Sequence, residues 1–188
     1  MSQSVHIIAR RAGSLEDVER FGKNDPYAQF SLDLEDKDSF KKTSTKKNAG
    51  KSVEWNEVIV LDNYDSSRHT KLYAEILDQE SLGDEPIGYA TIPLYQVVDA
   101  PGNSFKGRFD LFDDDNKQKG YISLTITIID SDRAGEDYAR DEPEVDGEST
   151  SSEEHQKRIK KLKLKEQAGA ALFGAKSLLS GNDERKED

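Results

Sequence analysis

The sequence predicts an all-β fold, an eight-stranded antiparallel β-sandwich, on three observations. Short runs rich in β-branched and aromatic residues recur at regular spacing through the first 129 residues. Gly, Asn, Asp and Pro punctuate them with turn chemistry. No long helical pattern interrupts the runs, which argues against alternating strands and helices around a parallel sheet.

The strands follow in order. Residues 5–11 (VHIIARR) form the first, and its His6 reads as an ordinary strand histidine because no second ligand sits at metal spacing. Residues 14–24 connect, with a short helical turn over 15–18. Pro26 has a fixed φ and no N–H, which suits the first position of a strand, so Asp25 stands at a strand mouth. The second strand is 27–34, and 35–38 is a polar turn. Residues 40–47 form a polar third strand rich in lysine, whose alternation sends Lys42 and Lys46 to one face and Lys41 and Lys47 to the other. After a turn at 48–50, the fourth strand is 55–61, with Val58 and Val60 opposite Ile59 and Leu61. The fifth, 72–77, ends at Asp78; the sixth is 87–94 and the seventh 105–112. A turn at 113–117 leads to the eighth, 120–129, with Ile122, Leu124, Ile126 and Ile128 on one face.

Composition changes beyond residue 130. We divide the chain into a sandwich domain (1–130), an acidic disordered linker (131–152), a charged amphipathic helix (153–180) and a disordered tail (181–188). Ser151 and Glu154 have the spacing of a capping box. The helix is basic from Lys157 to Lys165. Leu164, Ala168, Ala171, Leu172, Ala175, Leu178 and Leu179 then fall on one face. Gly169 and Gly174 each weaken it by roughly 1 kcal/mol relative to Ala. Such a helix suits a membrane interface, and equally suits docking on the sandwich or on a protein partner.

Charge and composition exclude several functions. With 27 Lys and Arg against 38 Asp and Glu, the chain lacks the basic footprint of a nucleic-acid binder. It has no cysteine, hence no disulfide, zinc-thiolate site or cysteine nucleophile. The N-terminus has no apolar signal core, and no run approaches the roughly 18 apolar residues of a spanning helix. The expectation is a soluble cytoplasmic protein whose membrane contact is peripheral. His6, His69 and His155 lie in no catalytic context, and no nucleophile elbow, zinc-protease motif or phosphate loop occurs.

Several separate stretches agree in order with one family. Gly22-Lys23-Asn24-Asp25-Pro26-Tyr27, the lysine-rich strand, the Trp55-Asn56-Glu57 strand start, and the acidic run from Asp78 to Glu85 closed by Pro86-Ile87-Gly88 together resemble the C2 domain. The resemblance covers residues 4 to about 129. It implies a Greek-key sandwich that binds calcium and lipid, with its metal loops at one end. The matching positions here are Glu19, Asp25, Asp78, Glu80, Asp84 and Glu85. The family usually places Asp where this chain has Glu19, Glu80 and Glu85, so the resemblance implies that Ca2+ binds weakly or not at all. Lys41, Lys42, Lys46, Lys47 and Lys51 are similar to the polybasic strand with which such domains hold anionic headgroups. The resulting reading is a non-enzymatic membrane-targeting or adaptor module on anionic phospholipid. The rival reading is a protein-interaction scaffold whose sandwich and helix bind protein partners.

Overall fold

The computed structural model describes residues 2–131 and 142–180. Eight strands form one hydrogen-bonded path: β1 (Gln3–Gly13), β2 (Pro26–Ser31), β3 (Lys41–Lys42), β4 (Val53–Tyr64), β5 (Lys71–Asp78), β6 (Glu85–Pro93), β7 (Ser104–Phe112) and β8 (Gln118–Asp130). The path runs β3-β2-β5-β6-β7-β8-β1-β4, and each of these pairings is antiparallel. β6 and β7 are paired only at Tyr89 and Phe112. That thin join lets the path fold into two layers, β3-β2-β5-β6 and β7-β8-β1-β4.

Alternation explains what lies between the layers. Ala28 and Phe30 of β2 share an inner face with Leu72, Ala74 and Ile76 of β5 and with Ala90 and Ile92 of β6. Val5 and Ile7 of β1 lie opposite Leu61 and Ile59 of β4 and Ile128 and Ile126 of β8. All are buried. The start of β4 carries an irregularity: the register with β1 shifts between Ala9 and Arg11, beside Asn56 at φ 52°. Asn tolerates that left-handed backbone, and the bulge lets Trp55 enter the core.

The third strand is much shorter than expected. Only Lys41 and Lys42 pair regularly with β2. Beyond them the side chains of Thr43 and Ser44 redirect the backbone. Thr43 Oγ1 accepts the Ala28 N–H at 3.0 Å, and Glu57 accepts the Ser44 N–H at 2.9 Å and the Ser44 hydroxyl. The chain still follows β2 irregularly, with Lys46 N–H bonded to Pro26 O and Gly50 N–H to Asn24 O.

The disordered linker expected over 131–152 also needs correction. Residues 132–141, and the tail at 181–188, lie outside the described residues. Residues 142–152, however, run along the sandwich. Arg11 pairs with Glu144 at 3.0 Å, β9 (Val145–Asp146) adds in parallel to β7, and Thr91 and Thr150 exchange backbone bonds. Gly147 lies so close to Phe109 that a Cβ there would sit 2.3 Å from the ring. The acidic composition concealed this because the segment has almost no apolar side chains to bury and is held by backbone bonds and by polar contacts to distant residues such as Arg11 and Asp110.

A short helix α1 (Tyr95–Val98) follows β6, and α2 (Glu153–Ser180) closes the described chain. Ser152, one residue later than the expected cap, starts α2: His155 N–H donates to its Oγ at 3.4 Å, and that hydroxyl also bonds Thr91. Among the described residues, no helix is long and apolar enough to cross a membrane.

Candidate functional site

The acidic end of the sandwich is formed by the loop between β1 and β2 and the loop between β5 and β6. Three of the six expected ligands converge there. Carboxylate oxygens of Glu19, Asp78 and Glu80 lie within 4.8 Å of one another. Asp78 closes β5 and is fully buried. Its Oδ1 accepts the Asp25 N–H at 2.5 Å, while Oδ2 has no hydrogen-bond partner. Burial raises the Asp78 pKa to about 6, and the charges of Glu80 and Asp25 add to the rise. Glu80 is raised by its hydrogen bond with Glu19, by burial and by nearby carboxylates. Among the described residues these carboxylates have no ion-pair partner, and the buried Asp78 Oδ2 gives a hard cation a fixed ligand. The donor set fits calcium.

The other three expected ligands are engaged elsewhere. Asp25 accepts the Asn48 N–H at 2.6 Å and pairs with Lys47 at 3.1 Å, and these hold its carboxyl below the usual range despite some burial. Asp84 accepts the Tyr27 hydroxyl at 2.5 Å and the Glu80 N–H at 3.1 Å, so it braces its own loop. Glu85 faces α2; its pKa is raised by burial and by Glu166, against the pull of Lys163.

The lysines do not share a pocket. Lys41 reaches back to Val60 O at 2.6 Å and Asp62 at 3.0 Å. Lys42 sits over the Tyr27 ring, 5.4 Å from its centroid. Lys46 lies near Glu57 and helps to lower that carboxyl's pKa, after burial and the two Ser44 bonds have acted on it. Lys47 pairs with Asp25, and Lys51 is exposed. They form an edge that runs from β3 toward the acidic end. Phe21 in the first loop is 89% exposed, and Leu82 in the second is 45% exposed.

Sequence reasoning missed the most elaborate polar cluster. Gln29, Tyr73, Glu75, Tyr89 and Thr91 lie on the outer face of β2-β5-β6, and the first turns of α2 cover it. Glu75 is fully buried and receives Gln29 Nε2 at 2.6 Å, His155 Nε2 at 3.0 Å and Arg158 Nε at 2.7 Å. His155 Nδ1 bonds the Thr91 hydroxyl at 3.0 Å, and its ring meets Tyr73 and Tyr89 edge-on. Arg158 also stacks on Phe40, 4.2 Å from the ring centroid. Burial opposes the charge on Glu75, but bonds from His155 and Arg158 outweigh it and keep the pKa below the usual glutamate value. Burial likewise lowers His155, and Glu75 only partly offsets this. The signal available in the sequence was Glu75 itself, a carboxylate within an otherwise apolar strand.

Docking therefore uses the basic half of α2, not the apolar stripe. Ile159 is buried, and Lys163 pairs with Asp114 at 3.1 Å. Further on, α2 crosses the second acidic loop. A Cβ on Gly169 would lie 2.8 Å from Leu82 O, so this glycine permits the crossing. Leu164, Leu172 and Phe173 remain exposed.

Comparison with known proteins gives a consistent result. A family model described as the C2 domain matches residues 3–111. Among curated proteins, the chain is 28% identical over 101 residues to a protein SRC2 homolog of Arabidopsis thaliana; the match takes in 52% of this chain and 31% of that protein. The chain thus matches about a third of that relative's length. Among solved structures, the C2 domain labelled A of plant extended synaptotagmin 1 superposes with a TM-score of 0.56 at 25% identity, covering 66% of this chain and 92% of that one. The calcium-bound pair of C2 domains, A and B, of extended synaptotagmin 2 shares the fold, with a TM-score of 0.55 at 22% identity over 66% of this chain and 45% of that one.

Proposed function

This chain belongs to the C2 domain family, and we propose that it is a non-enzymatic, cytoplasmic membrane-targeting or adaptor module that binds anionic phospholipid peripherally. Lys41, Lys42, Lys46, Lys47 and Lys51 supply the attraction, and calcium dependence is weak or absent. One observation carries the reading. The lysine edge runs up to the acidic loop end, where Lys47 meets Asp25 and the apolar tips Phe21 and Leu82 stand in solvent. Cations beside exposed apolar tips match the headgroup layer of an anionic bilayer. Residues 1–129 carry 16 Lys and Arg against 22 Asp and Glu, so the attraction has to be local.

Glu19, Asp78 and Glu80 would hold a calcium ion, which would neutralise the negative loop end beside the membrane. Three carboxylates are few against the six to eight oxygens calcium takes. Asp25, committed to Lys47, does not readily add a fourth.

The test is co-sedimentation with anionic liposomes, with and without calcium. At about 1 kcal/mol per engaged lysine, Lys42→Ala/Lys46→Ala should weaken partitioning roughly thirtyfold, and added salt should weaken it further. Unchanged binding in that variant would refute the lysine edge as the site. A second reading, a protein scaffold, is favoured by the exposed Leu164, Leu172 and Phe173 of α2. It replaces the first if the intact chain fails to bind liposomes at low salt.

A further inference from the structure

Docking of α2 creates a cleft that the sandwich does not have by itself. Its volume is about 950 Å³. One wall is the flank of α2 that carries Lys157, Lys161 and Lys165. The other is formed by the segment after β2, with Lys37, and the loop before β5, with Arg68. Leu32, Tyr73 and Leu162 also line it.

The charges in this cleft are unbalanced. Setting aside Arg158, which Glu75 holds, five cationic side chains face three carboxylates, Asp33, Glu35 and Glu154. Among the described residues, Lys37, Arg68, Lys161 and Lys165 have no ion-pair partner; Lys157 pairs with Glu153 at 2.8 Å. Lysines at successive four-residue steps lie on one helix face and repel one another. Here three of them stand on one wall, and two more cations stand on the wall across from them. Such an arrangement is stabilised by an anion that carries several negative charges, and five cations offer more charge than a single phosphate can balance. The apolar and aromatic lining suits the ring of a small polyol, and the volume lies in the range of small-molecule pockets.

We propose that this cleft binds a multiply phosphorylated small anion, of the kind formed by a cyclitol or sugar carrying several phosphomonoesters. The site requires α2 and shares no residue with the lysine edge, so the two can fail independently. Its ligand is either the headgroup of a phosphorylated lipid or a free polyphosphate, and both present the same chemistry to the cleft.

Calorimetry on the full chain tests this, with inositol hexakisphosphate as probe and inorganic phosphate as comparison. The polyphosphate should bind and inorganic phosphate should bind far more weakly. Lys161→Gln/Lys165→Gln should weaken polyphosphate binding about thirtyfold, and Arg68→Gln, on the opposite wall, about fivefold. Arg68 belongs to the loop before β5 and not to α2, so its variant reports on the site even if the helix variant fails to fold. Vesicles of phosphatidylcholine with and without phosphatidylinositol bisphosphate assign the source. Vesicle binding lost in the same variants supports the lipid headgroup, and polyphosphate binding without vesicle binding supports the free anion. The proposal is overturned if the polyphosphate gives no binding, if inorganic phosphate binds as tightly, or if both cleft variants bind like the parent. It is also overturned if Lys42→Ala/Lys46→Ala weakens polyphosphate binding as much as the cleft variants do.

Discussion

Replacing Glu75 should release α2 while leaving the sandwich folded. Among the described residues, Glu75 is the one acceptor that both His155 and Arg158 reach, and all three meet in a contact closed to water on the Glu75 and His155 sides. Glu75→Ala leaves a guanidinium without its counterion on a side chain only 17% exposed. Removing one partner of a buried pair costs about 3–5 kcal/mol. The inner face of β5 is unaffected, because Leu72, Ala74 and Ile76 point the other way. The penalty therefore falls on docking. At the lower figure of about 3 kcal/mol, the open population rises by about two powers of ten. Trypsin reads this directly, since Lys157, Arg158, Lys160 and Lys161 lie in the docked turns. Where opening is fast relative to cleavage, the cut rate follows the open population and should rise about a hundredfold. Glu75→Gln keeps the shape and an acceptor oxygen and should fall in between. Glu153→Ala removes only an exposed pair with Lys157 and should leave the rate near that of the parent. Acid should mimic the mutation. His155 sits below its ordinary value of 6.5 and Glu75 below 4.5, so the undocked state binds protons more readily at both. Docking is then complete above pH 6.5, weakens as pH falls toward the depressed His155 pKa, and weakens again as Glu75 protonates. Parent-like cleavage in Glu75→Ala, or docking indifferent to pH over this window, would refute the latch.

Three further outcomes follow from the packing. Ile159→Ala should cost about 2–4 kcal/mol of docking, seen as faster hydrogen exchange in α2 with the sandwich strands still protected. Gly169→Ala adds about 1 kcal/mol of helix propensity, yet its Cβ would press on Leu82 O, so amide shifts in the second acidic loop should move and α2 should dock less tightly. Calcium should bind at millimolar concentration or not at all, and Lys47→Ala, which releases Asp25 Oδ2 while the Asn48 N–H still holds Oδ1, should tighten it in calorimetry; an unaltered constant would mean that the released oxygen does not reach the ion.

How far the sequence could be read depended on which force fixed each element. Where apolar alternation decides burial, as in β1, β5 and β8, the strands emerge from the residues alone, because one register slip would turn the core face outward. The third strand failed because side chains decided it. Thr43 and Ser44 have strand propensity, but their hydroxyls bond Ala28 N–H and Glu57 and draw the chain out of regular pairing. The 142–152 segment failed for another reason, since its backbone bonds leave no compositional trace and its polar side-chain partners, such as Arg11 for Glu144, lie far away in sequence.

The acidic end and α2 share a deeper limit. Sequence names the carboxylates that a metal site would use, but not those whose oxygens are already engaged. Asp25 and Asp84 look like ligands by spacing, yet one is held by Lys47 and Asn48 and the other by Tyr27. Glu75 and His155 lie 80 residues apart, and nothing local to either names the other. A carboxylate in a buried strand, however, cannot remain ionised unless something offsets its desolvation. That requirement is visible in the sequence even when the partner is not. Given a sandwich whose inner face is apolar, Glu75 had to lie outside, and a fully buried outer residue needs a cover. The basic turns of α2 supply both the cover and the counter-charge. Leu164 and Leu172 of the apolar stripe are thereby left exposed.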